Sequence, residues 1–127
     1  MRFIIVVRAN RDTEAGVAPA ADVSAAMAAY REQLVKAGVL LDANALQPSS
    51  EGFRLRWHGG RRTLVEGPFA QAEELIAGYT VIQVKSRAEC VEWAKRFPAP
   101  FGENRNGEIE VRPLHETDFS IQEGAST

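Results

Sequence analysis

Residues 2 to about 9 read RFIIVVRA, an apolar, β-branched run between two arginines that predicts a buried first strand. No period follows in NRDTEAGVAPA. Residues 10–20 therefore read as a mobile loop at a strand end, a place where ligands are often enclosed. From Asp22, a good N-cap, the residues Val23, Met27, Tyr30 and Leu34 recur at helical spacing and predict one helix ending before Gly38. The segments VLLDANALQP (39–48) and FRLRWHGGRRTLVEG (53–67) read as strands, the second a hairpin turning at His58-Gly59-Gly60. AQAEEL (70–75) is a short helical turn at most. AGYTVIQVKS (77–86) is a β-prone buried strand carrying Tyr79, Val81, Ile82 and Val84. Ser86 with Glu89 forms a capping box for a second helix over residues 87 to about 97, stopped by Pro98, with Cys90, Val91, Trp93, Ala94 and Phe97 on its apolar side. GEIEVRPL (107–114) alternates Ile109 and Val111 with Glu110 and Arg112, a last strand. Beyond Thr117 the tail is polar and is expected to fray.

This order predicts an α+β, ferredoxin-like antiparallel sheet with two main helices on one face and an inserted hairpin. Two helices cover one face only. The other would be a large apolar patch, so a homodimer joined sheet to sheet is expected.

Composition narrows the function classes. A chain of 127 residues fits a single domain over residues 1–127, and 45% hydrophobic with 25% charged residues is an ordinary globular balance. A net charge of -2 gives polyanions no general attraction, so nucleic acid is not an expected partner. The basic stretch RLRWHGGRR (54–62) fits a solvated hairpin. One cysteine, Cys90, permits no intrachain disulfide and suits a reducing, cytoplasmic setting. The apolar run of residues 3–7 is too short for a membrane span or a secretory signal, so no membrane partner is expected.

The run VEGPFAQAEELIAGYTVIQVKSRAECVEWAKRFP (65–98), followed by GEIEVRPL and preceded by AAMAAYREQLVKAGVLLDANALQP (25–48), resembles the YCII-related family and within it the DGPF branch. The resemblance covers nearly the whole chain. It implies a dimeric α+β barrel in which two ferredoxin-like sheets face each other. Most members are uncharacterised, a few relatives resemble dehalogenase-type or lactone-handling enzymes, and some stand beside sigma-factor-like domains. In the other branch a His and Asp pair is linked to catalysis; this chain has no His before residue 58. Glu66 stands where the branch has Asp.

In Glu66-Gly67-Pro68-Phe69 the last three residues have structural reasons to form a corner: glycine for its dihedral freedom, proline for its fixed φ, phenylalanine as an anchor. Glu66, held in a cleft near Arg8 or Arg112, would suit general acid or base work, and Asp42 in its apolar strand is the second catalytic candidate. Arg8, Phe69, Tyr79 and Arg112 are the candidate substrate-binding residues, Arg112 for its carboxylate-matching fork. Glu110 and Arg112 share a strand face and suit an ion pair. His58 and His115 lack the ligand spacing of a zinc site, and the cluster HETD (115–118) is the one weak alternative, so no metal or cofactor is expected. Two functions follow: a protein that binds a small organic ligand in a cleft near the Glu66-Gly67-Pro68-Phe69 turn, with cofactor-independent acid/base catalysis as its enzymatic form, or a non-catalytic ligand-sensing or assembly module linked to transcriptional regulation. A haem- or quinone-handling oxygenase is disfavoured, since neither histidine falls on a core-facing helix.

Overall fold

A computed structural model describes residues 1–116. The elements in chain order are β1 (Arg2–Arg8), α1 (Arg11–Glu14), α2 (Ala21–Lys36), β2 (Leu40–Ala45), β3 (Phe53–His58), β4 (Arg61–Glu66), β5 (Ile76–Gln83), α3 (Arg87–Lys95) and β6 (Ile109–Pro113). Four strands make an antiparallel sheet in the order β2-β5-β1-β6, and β3 with β4 forms a separate two-stranded sheet. Two strand-helix-strand units in one antiparallel sheet give the ferredoxin-like α+β arrangement, with the hairpin inserted between its halves.

Side-chain alternation divides the four-stranded sheet into two unlike faces. Phe3 and Ile5 of β1 and Ile82 of β5 lie on the helix side, where they join Val84, Tyr30, Leu34, Cys90 and Trp93 in one buried cluster. Burying each large apolar side chain of this cluster contributes about 1.5–3 kcal/mol. Their neighbours of opposite parity, Ile4, Val6, Tyr79 and Val81, are half-buried on a face that no helix among the described residues covers.

Each helix follows its own sequence signals. Val23, Tyr30 and Leu34 of α2 are buried, as their spacing requires, whereas Met27 is only partly so. The N-cap of α2 is Ala20, not Asp22. Asp22 sits instead in the first turn, where its carboxylate accepts from the Val23 amide at 2.9 Å and faces the positive end of the helix dipole. Ser86 caps α3 by accepting from the Glu89 amide at 3.1 Å, while Glu89 reaches one residue further back, to the Lys85 amide at 2.9 Å. The segment read as a loop from residue 10 contains α1, closed by a reciprocal box between Asn10 and Thr13.

Tyr30 ties α2 to α3. Its hydroxyl donates to the Trp93 carbonyl at 2.7 Å, and its ring meets Trp93 and Phe97 edge to face at 6.2 and 5.2 Å between centroids. Burial pushes the Tyr30 phenol up from 10.0 to about 12. Because the folded pKa is the higher one, the neutral phenol's contribution is complete below pH 10 and is lost as pH rises through 12. Wild-type protein should therefore lose on the order of 2 kcal/mol between those pH values. Tyr30→Phe, weaker at neutral pH, should show a shallower decline in urea unfolding over the same interval. Burial likewise pushes the Cys90 thiol up, which makes it a packing residue and not a nucleophile.

The hairpin turns at Gly59 and Gly60, whose φ values of 57° and 78° fit the two-residue turn that matches strand twist. Its register sets Phe53 opposite Glu66, Leu55 opposite Leu64 and Trp57 opposite Arg62. One side of the hairpin therefore displays four apolar side chains that are 45–64% exposed.

Candidate functional site

A cavity of about 570 Å³ lies between α2 and the β2–β5 half of the sheet. It exists because small residues occupy sites where strands usually carry bulk. Ala43 pairs with Thr80 and Ala45 with Gly78, so the sheet floor is nearly bare of side chains. Above it Val23, Met27 and Arg31 follow each other at four-residue spacing along α2. That location explains why Met27 is not fully buried: it faces the cavity, not the core. Phe97 and Phe101 line one part of the wall, and α1 with the segment up to Ala20 lines another.

Most of the lining is apolar, with few polar points. Thr80 is 7% exposed, and its hydroxyl has no hydrogen-bond partner among the described residues. Three charged side chains line the cavity. Arg105 donates to Asp12 at 2.8 Å, which satisfies that carboxylate, whereas Arg31 has no ion pair or hydrogen bond from its guanidinium among the described residues.

The Gly-Pro-Phe corner stands beside this cavity, not in it. Gly67 donates to the Gly52 carbonyl at 3.0 Å, the Gly67–Pro68 peptide is cis, and the Phe69 amide donates to Ser49 Oγ at 3.0 Å. Ser49 donates its hydroxyl to the Glu14 carboxylate, and its amide donates to Glu14 Oε2 at 3.0 Å. Glu14 closes α1, so the corner is tied through Ser49 to the cavity wall. The Arg54 guanidinium lies 3.9 Å above the Phe69 ring, beside a second hollow of about 210 Å³ that these side chains share with Leu46. The Ser49 partner lies 35 positions away, beyond any local signal in the sequence.

The sequence-predicted residues fall into three places. Glu66 ends β4, is exposed, and its carboxylate makes no hydrogen bond or ion pair among the described residues. It lies on the hairpin sheet, whereas Arg8 and Arg112 lie on the four-stranded one, and no ion pair or hydrogen bond links it to either. Phe69 is at the corner. Asp42, Tyr79, Arg8 and Arg112 share the uncovered sheet face.

On that face Asp42 accepts from the Tyr79 hydroxyl at 2.9 Å and from Asn44 at 3.2 Å, and Asn44 also donates to the Tyr79 oxygen at 3.0 Å. At the opposite edge Glu110 stands 3.5 Å from Arg8 and 3.7 Å from Arg112, so the expected Glu110–Arg112 contact forms with Arg8 as a third member. Arg8 Nε is buried without a hydrogen bond, 3.9 Å from Glu108. The register places Asp42, Val81, Ile4 and Arg112 in one row across the four strands. Three strand spacings separate the acidic from the basic edge, about 14 Å.

His58 is exposed at the hairpin tip. Among the described residues no cluster of three or more His, Cys, Asp or Glu is arranged to hold a metal, and Asp118 of the HETD stretch lies outside them. Glu116 is held below the usual carboxylate range, first by a 2.8 Å hydrogen bond from the Arg2 amide and then by the Arg2 side chain. No helix among the described residues is long and apolar enough to cross a membrane.

Fold and site together define a ferredoxin-like α+β protein with a cavity under its helices and one uncovered sheet face. The chain belongs to the YCII-related family, whose model, described as a YCII-related domain, matches residues 1–118. An uncharacterised protein of Rhizobium meliloti is 31% identical over 91 residues, covering 69% of each chain.

Proposed function

We propose that this protein binds a small, mainly apolar organic molecule in the cavity between α2 and the β2–β5 half of the sheet. The observation that carries this reading is a cavity of about 570 Å³, lined mostly by apolar groups around the unpartnered hydroxyl of a buried threonine, Thr80. Small-molecule sites span ~300–1,000 Å³ and share that make-up. Among the described residues the only carboxylate lining the cavity belongs to Asp12, already held by Arg105, which favours binding over proton transfer there. Calorimetric titration with 2-naphthol tests the reading: saturable binding at one site per chain is expected, and no heat up to millimolar concentration would refute it.

The working form is proposed to be a homodimer joined through the uncovered sheet faces. Ile4, Val6, Val81 and the Tyr79 ring supply an apolar centre between an edge carrying Asp42 and an edge carrying Arg112, whose Glu110 partner also pairs with Arg8 on the neighbouring strand. A two-fold axis parallel to the strands sets Asp42 of one copy against the Arg8–Glu110–Arg112 cluster of the other, an arrangement in which each copy offers the same surface. Sedimentation at micromolar concentration should give twice the chain mass; a stable monomer contradicts the dimer. The Gly-Pro-Phe corner supports membership of the DGPF branch.

A second reading has its own observation. The Asp42 carboxylate orients the Tyr79 hydroxyl, a pairing suited to proton transfer inside the proposed dimer.

A further inference from the structure

We infer that the cavity's ligand is an amphipathic carboxylate, a compact apolar body with one anionic head held at the entrance by Arg31. The inference rests on the cavity being a ligand site and adds the class of molecule. Charge carries the first step. Of the two guanidinium groups and one carboxylate that line the cavity among the described residues, Arg105 and Asp12 neutralise each other at 2.8 Å, and Arg31 has no ion pair there. A neutral or cationic guest would leave that charge to water alone. A carboxylate meets it with the matching two-oxygen fork.

Placement carries the second step. Arg31 is exposed on α2, whereas Met27 and Val23, one and two turns away on the same side, are progressively more buried. The charged end of the lining is thus the wet end, and an amphipathic guest enters apolar end first. Its body then lies over Ala43, Ala45 and Gly78, where the floor offers backbone and methyl groups only. The unpartnered hydroxyl of Thr80 is free to meet one further oxygen on that body. The sequence carries the signal faintly: Arg31 interrupts an otherwise apolar line at four-residue spacing from Val23.

Calorimetry with 2-naphthoate and 2-naphthol, which share a ring system and differ in charge at pH 7, tests the assignment. Wild-type protein should bind naphthoate about fivefold more tightly than naphthol, the scale of a partly exposed ion pair. Arg31→Gln, on an exposed helix position that tolerates either residue, should remove most of that fivefold difference, and Arg31→Lys should restore part of it. Equal affinity for the two probes, or a naphthoate affinity indifferent to Arg31→Gln, would overturn the carboxylate assignment while leaving the cavity reading in place. If neither probe binds, the cavity reading fails and the assignment fails with it.

Discussion

Gly67→Ala should destabilise the protein by about 3 kcal/mol or more, at the top of the range for single substitutions. A Cβ added at Gly67 would lie 1.8 Å from the Ser49 carbonyl oxygen and 2.7 Å from its carbon. Both atoms are backbone, so no side-chain rotation relieves the clash. The corner must move, and with it go the Gly67–Gly52 hydrogen bond and the Phe69–Ser49–Glu14 chain that ties the corner to α1. Gly52→Ala is the matched control, because its added Cβ would meet the same carbonyl at an ordinary 3.7 Å. Urea unfolding should show a large loss of midpoint for the first and a change within about 1 kcal/mol for the second. Equal behaviour of the two would mean that the corner is not packed in this way.

Ala43→Leu should abolish probe binding and spare the fold. Ala43 pairs with Thr80 on the helix side of the sheet, so a leucine there grows into the cavity. Filling a void costs no burial already made, and stability should hold or rise by up to about 1 kcal/mol. Affinity for 2-naphthol should fall at least tenfold, about 1.4 kcal/mol. Ala28→Leu, on the exposed side of α2, should leave affinity unchanged. Undiminished binding by the Ala43→Leu variant would mean that the probe uses some other surface.

The strands and helices were readable because their signals are local. Five apolar residues in a row marked β1, the spacing of Val23, Tyr30 and Leu34 marked α2, and Ser86 marked the start of α3. Four residues of α1 leave no period to find, and its Asn10–Thr13 box lacks the acidic partner of the usual pattern. The site was less legible. Asp42 with Tyr79, and Arg8 with Arg112, come together because β5 and β6 return beside strands distant in sequence, which alternation alone does not reveal. Glu66 looked like a cleft residue because its neighbours form a tight corner. The hairpin instead forms its own sheet, and the register puts Glu66 at its exposed end opposite Phe53. The cavity was the least visible, since it is made of side chains that are missing, at Ala43, Ala45 and Gly78, on two strands that meet only in the fold.

The apolar side of the hairpin is the main competitor for any apolar probe, with Trp57 64% and Phe53 60% exposed. Amide chemical-shift mapping by NMR during the 2-naphthol titration separates the two locations. Saturating shifts at Met27, Ala43, Gly78 and Thr80 are the predicted result. Shifts confined to Phe53, Leu55, Trp57 and Leu64, with the cavity amides unmoved, would contradict the account.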